Sequence, residues 1–329
     1  MTRDFGPIAS SSGFLVLALF TALLYVGSTV VGAGERSVGF LILGVWTLGL
    51  LFAFPGEWSR SISSAETAHR YNFSGELPVF VAVVLGAVIT FWMSVDLGLG
   101  AVIASSLVGI AASLWRKELG APAFCGSFAG MASAEVFGHP QMLLAGAICA
   151  TLFVASKHVF KGFGGKLGTI AWAGTVATAL ISRRPLPGEA VYMWSIGAPL
   201  IVYATVGAVL TFVLSHRYKA GPVLASGVIG LLAGLLLPLA HGAETGGLYA
   251  VSAFCGSFAG MSGLERFKHA GWMVPAGAVC GLILMYSAPF IGGAGGKLGT
   301  AAFGAVIGVH GLTQIVPITL RRSLFSIFR

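Results

Sequence analysis

FCGSFAGM, residues 124–131, returns letter for letter at 254–261. An identity of eight residues within one chain of 329 marks an internal duplication, and its extent follows by walking outward. GGKLGT stands at 164–169 and again at 295–300, and AGAIC (145–149) answers AGAVC (276–280). Upstream, LGAVITF (85–91) pairs with VGAVLTF (206–212), and VIASSLVGIAASL (102–114) with VLASGVIGLLAGL (223–235). Glu135-x-Phe137-x-His139 matches Glu265-x-Phe267-x-His269. The offset is 121 early, 130 through the octapeptide and 131 later. The second copy therefore carries nine extra residues around 236–252 and one more after His269.

The composition says what kind of protein was duplicated. Hydrophobic residues make up 56% of the chain and charged residues only 9%, against roughly 25% charged in soluble domains. Soluble and disordered classes are excluded on that ground. The 48 glycines follow no G-X-Y period, which excludes collagen and suits closely packed membrane helices. The apolar runs are continuous rather than alternating, unlike a β-barrel. The expected fold is an all-α polytopic membrane protein. Cys125, Cys149, Cys255 and Cys280 all sit inside apolar runs without CxxC or Cys/His zinc spacing, so neither a disulfide, a metal nor another cofactor is expected. The stretch MTRDFGPIASSSG leads into a run read as a first transmembrane helix rather than a cleaved signal.

Each copy holds five apolar segments, about 77–95, 98–115, 121–137, 140–157 and 166–182, then 192–214, 221–240, 247–263, 271–290 and 296–318. Two more, about 13–32 and 38–55, precede them, which makes about twelve. The domains are thus residues 1–72 (two N-terminal helices and a loop), 73–184 (repeat 1) and 185–329 (repeat 2 with a short basic tail). An odd number of spans per copy inverts the second copy. Threading twelve spans from a cytoplasmic N-terminus tests this against the net charge of +8. Fifteen basic residues then face the cytoplasm: Arg3, Arg60, Arg70, Arg116, Lys117, Lys157, Lys161, Lys166, Arg217, Lys219, Arg266, Lys268, Arg321, Arg322 and Arg329. Four face outward: Arg36, Arg183, Arg184 and Lys297. That asymmetry fits the positive-inside bias of an inner, cell-membrane protein with both termini cytoplasmic, and it accounts for the basic balance without nucleic acid.

Inverted halves place a solute site near the midplane, where matching broken helices meet. Two duplicated, glycine-broken blocks qualify. In FCGSFAGM, Gly126 and Gly130, like Gly256 and Gly260, form GxxxG. This is either tight helix packing or a tilted half-helix whose backbone, Ser127 and Ser257 line a path walled by Phe124, Phe128, Phe254 and Phe258. In GGKLGT, two glycines and Lys166 or Lys297 open a helix that continues through Thr169 or Thr300. The lysines are either snorkelling residues or cations that draw anions or carbonyls to a helix N-terminus. The spacing is not that of a P-loop. A third pair, Glu135 with His139 and Glu265 with His269, stands four apart on one expected helix face. It reads either as a helix-end contact or as a gating or proton-coupling pair, and is too small a ligand set for a metal.

This layout resembles the urea transporter family. VIASSLVGIAASL followed by APAFCGSFAGMA, and VLASGVIGLLAGL followed by VSAFCGSFAGMS, fall in the order of that family's second helix and pore half-helix. The resemblance covers about 77–318 and implies an inverted five-plus-five fold and a trimeric homo-oligomer. The family's pore Asn is replaced by Cys125-Gly126-Ser127 and Cys255-Gly256-Ser257, and its Pro/Phe-rich lead into the fifth helix by GGKLGT. The expected function is a channel or facilitative transporter for a small polar solute, anionic or urea-like. The alternatives are a proton- or ion-coupled transporter using Glu135 and Glu265, a membrane-embedded enzyme, or a structural subunit. No HExxH, paired-Asp or Ser/His/Asp set is visible, so an enzyme is not expected.

Overall fold

The computed structural model describes residues 5–34, 38–66 and 73–315. Of the basic residues used above, Arg3, Arg36, Arg70, Arg321, Arg322 and Arg329 lie outside the described residues. The described regular structure is helical throughout: α1 (Phe5–Gly34), α2 (Val38–Glu66), α3 (Phe73–Val95), α4 (Ala101–Trp115), α5 (Lys117–Gly130), α6 (His139–Ala155), α7 (Lys166–Ile181), α8 (Trp194–His216), α9 (Pro222–His241), α10 (Ala243–Gly260), α11 (Met273–Ser287) and α12 (Lys297–Ile315). Among these, α1, α2, α3, α8, α9, α12, and α11 together with the 3-10 turn before it, are long and apolar enough to cross a membrane. The protein is an all-helical polytopic membrane protein.

The third segment of each copy ends earlier than its apolar run. Helices α5 and α10 stop at Gly130 and Gly260, and 131–138 and 261–269 are mostly turn. At 14 residues, α5 is about 21 Å long, short of the roughly 30 Å hydrocarbon core. A new helix starts at His139, where Pro140 suits a first turn and Gln141 Oε1 accepts from the Gly138 amide at 3.1 Å. The expected shared helix face of Glu135 and His139, and of Glu265 and His269, is therefore not formed. The nine extra residues of the second copy are also located: α9 has 20 residues against 15 in α4, and α10 has 18 against 14 in α5.

The two copies make the same contacts. A Cβ on Gly126 would overlap the Val83 carbonyl of α3, and one on Gly256 would overlap the Ala204 carbonyl of α8. Val83 and Ala204 are themselves repeat mates. The GxxxG faces thus serve backbone-to-backbone helix packing. Between copies, α7 and α12 cross where Gly168 meets Gly299, again at a distance no side chain allows. The pair α1–α2 lies outside the duplication and packs on α12. Tyr25 donates its hydroxyl to the Ala301 carbonyl (2.6 Å), and Trp46 Nε1 donates to the Ala305 carbonyl (3.0 Å).

Candidate functional site

Helices α5 and α10 meet through four rings. Phe124, Phe128, Phe254 and Phe258 are each at most 1% exposed. Phe128 and Phe258 lie 4.4 Å apart between copies, and the in-copy pairs Phe124–Phe128 and Phe254–Phe258 lie at 4.3 and 4.4 Å. Each such pair contributes about 0.5–1.5 kcal/mol beyond its buried area. The result is a buried aromatic cluster where α5 and α10 face each other.

The hydroxyls beside it point away from the cluster. Ser127 Oγ donates to the Phe124 carbonyl (2.8 Å) and meets Ser105 Oγ of α4 at 2.9 Å. Ser257 repeats this with the Phe254 carbonyl (2.6 Å) and Ser226 Oγ of α9 (2.7 Å). All four serines are buried, so these pairs tie α5 to α4 and α10 to α9. Cys125 and Cys255 donate to the Leu167 and Leu298 carbonyls at 3.3 and 3.2 Å, which ties α5 to the start of α7 and α10 to the start of α12. Ser105 and Ser226 were not singled out from the sequence; their places in matched segments were the available signal.

GGKLGT ends the loop that joins α6 to α7 and opens α7, and in the second copy it ends the loop that joins α11 to α12. Residues 156–165 and 288–296 leave α6 and α11, fold back, and open α7 and α12. The backbone is the same in both. Phe160 and Ile291 have φ of 49° and 53°, Gly162 and Gly293 of 79° and 74°, and Gly165 and Gly296 of 79° and 95°. Left-handed Phe and Ile are uncommon and strained, and here the strain is present twice. The lysines fasten these loops. Lys166 Nζ donates to the carbonyls of Ser156 (2.8 Å) and Val159 (2.7 Å). Lys297 Nζ donates to the carbonyls of Ser287 and Phe290. Each ammonium thus sits on carbonyls released where a helix ends, the favourable end of the dipole for a cation. Thr169 and Thr300 are buried one turn further on; Thr300 Oγ1 approaches the Gly296 carbonyl at 3.5 Å, and Thr169 Oγ1 has no hydrogen-bond partner among the described residues.

A cavity of about 320 Å³ descends beside loop 288–296 to the Phe128–Phe258 pair. Its wall includes Met131, Ser133, Glu189, Tyr192, Gly293 and Lys297. Glu189 Oε2 accepts from the Tyr192 hydroxyl (3.0 Å), and burial, reinforced by that carboxylate, pushes the Tyr192 phenol up to about 12. Glu189, Tyr192 and Ser133 belong to no motif in the sequence.

The acid and imidazole residues of the third pair stay apart. Glu135 and Glu265 are exposed in turns, and His139 Nε2 contacts Asp96 Oδ2 at 2.9 Å instead. Beside Glu265, Arg266 lays its guanidinium over Phe163 (4.2 Å) and grips Glu57 of α2 with two bonds of 2.7 and 2.8 Å. Glu57 is 1% exposed and also accepts from Arg60 (2.6 Å). The sequence offered no pattern linking Glu57 to Arg266, which are 209 residues apart. Set against family models, curated proteins and solved structures, the chain matches none.

Proposed function

We propose that the protein is a channel or facilitative transporter for a small polar solute, anionic or urea-like, moving between the two copies of the duplicated unit. The observation that carries this reading is the cavity that ends on Phe128 and Phe258, the aromatic contact between the two half-helices. A dry plug of four rings flanked by re-entrant loops is a physical barrier that a small solute crosses by parting side chains rather than helices. Soft rings and strained loops both suit that motion.

In this reading the chain crosses the inner membrane twelve times, two N-terminal helices preceding two inverted repeats of five, with both termini cytoplasmic. The grouping of the ends supports it. Glu57, Arg60, Lys157, Lys161 and Arg266 meet at one end through bonds among α2, α3, loop 156–165 and turn 261–269. Asp96, His139, Pro187 and Glu189 gather at the other, with α6's start and loop 288–296. The basic end is the cytoplasmic one. A homo-oligomer, trimeric by the resemblance to urea transporters, is the expected assembly.

The test is flux into proteoliposomes across urea, small amides and small anions. Wild-type protein is expected to pass at least one of them, and Phe128→Ala with Phe258→Ala to pass it faster. The absence of flux for every solute, in both proteins, overturns the reading.

A further inference from the structure

The two copies carry opposite charge at one matched corner. In the first, Asp96 follows the end of α3 and its carboxylate holds His139 at 2.9 Å. The repeat mates of these residues are Arg217, which follows the end of α8, and His269. The acid that holds His139 is thus replaced by a cation at the matching sequence position of the second copy. The two corners share a backbone contact: the turn preceding each histidine bonds to the other copy's loop, Ser133 N to the Gly293 carbonyl and Gly263 N to the Gly162 carbonyl, both at 2.9 Å.

Among the described residues, the acid nearest in sequence to His269, Glu265, is exposed in the preceding turn and does not line the space beside the histidine. A cavity of about 270 Å³ opens there, lined by Arg266, Phe267, Lys268, His269, Trp272 and Thr313. None of these is an acid. The buried carboxylate nearby, Glu57, is already occupied by Arg266 and Arg60. The Arg266 guanidinium is committed to Glu57 through both terminal nitrogens and to the Lys161 carbonyl through Nε (2.9 Å). The side chains of Lys268 and His269 are exposed, and neither makes a hydrogen bond or ion pair with another described residue. Thr313 lies near the last turn of α12, so the cavity sits at the end of a spanning helix, the depth at which Trp rings and basic side chains meet headgroups.

We infer that this cavity binds a phosphate-type anion between Lys268 and His269, taking the place that Asp96 holds in the first copy. The ligand chemistry is that of a phosphodiester or free phosphate: diffuse negative charge with several acceptor oxygens for one ammonium and one imidazole N–H. A lipid headgroup and a dissolved phosphate share it. The site does not depend on whether the protein transports a solute.

Thermal unfolding of the purified full-length protein in detergent separates the sources. Three additions are compared at equal ionic strength: phosphatidylglycerol, phosphatidylcholine and sodium phosphate over sodium chloride. Both lysine and histidine are exposed, so Lys268→Gln with His269→Gln is expected to fold normally. Phosphatidylglycerol is expected to raise the wild-type midpoint saturably by several degrees over phosphatidylcholine, and the double variant to lose most of that shift. A saturable shift with phosphate, lost in the variant, supports the site with a soluble ligand instead. No shift with either anion, or the same shift in wild type and variant, overturns it.

Discussion

Loops 156–165 and 288–296 share a backbone and a lysine fastening, yet different parts of the molecule brace them. The first is braced from outside the duplication. Phe160 stacks on Phe14 of α1 at 4.5 Å, and Lys161 accepts from Arg266, which is locked to Glu57 of α2. The second is braced by the chain that links the copies. The Glu189 amide donates to the Ala288 carbonyl (2.9 Å) and the Gly292 amide to the Pro187 carbonyl (2.6 Å). The repeat mates of Phe163 and Arg266 in the second setting are Ala294 and Val136, so neither the ring nor the guanidinium is present there. One loop is held by a buried charged clamp and aromatic stacking, the other by a strap of backbone bonds beside a cavity. The duplicated core fixes the symmetry, and the parts added around it make the two mouths unequal.

The sharpest way to break this comparison is at the clamp. Glu57→Ala leaves the Arg266 guanidinium, 11% exposed, without its carboxylate. Removing one partner of a buried pair costs about 3–5 kcal/mol. Loss of stability of that order is expected in thermal or denaturant unfolding, with faster hydrogen exchange over 156–165 and none of the same change over 288–296. Equal effects on both loops would mean that the braces are not separate. Next come the crossings that the copies share. Gly126→Ala and Gly256→Ala each push a methyl into a backbone carbonyl, for about 1–3 kcal/mol by overpacking. The two variants are expected to be equally damaging in the same unfolding assay. The lysine fastenings follow. Lys166→Met and Lys297→Met each strand two loop carbonyls, at about 1–3 kcal/mol per unsatisfied group that stays dry. The Lys297 variant is expected to lose less, because the cavity beside it admits water. Smallest are Ser127→Ala and Ser257→Ala, about 1 kcal/mol each and alike within error.

Much of the fold was legible because the duplication was. Segments at matched offsets became helices at matched positions, and the nine-residue insertion emerged as longer α9 and α10. The third segments, read to 137 and 263, end as helices at Gly130 and Gly260, because hydropathy is blind to where helical bonding stops. The lysine pair was legible as a pair, but not the carbonyls it holds, because those depend on a loop reversing direction over ten residues. The cavity's Glu189 and Tyr192 lie just before α8 in no recognisable motif, and Glu57 lies outside the repeat altogether. Contacts that join duplicated to unduplicated sequence leave no periodic trace in either.

The central claim is that the cavity leading to Phe128 and Phe258 is the solute's route. Met131 lines that cavity, and the four native cysteines are buried. Met131→Cys in proteoliposomes, assayed for flux before and after reaction with a bulky thiol reagent, tests the claim most directly. Flux equal to wild type before reaction and abolished after it, with wild type unaffected by the reagent, is the expected result. Unchanged flux through a fully modified Cys variant would contradict it.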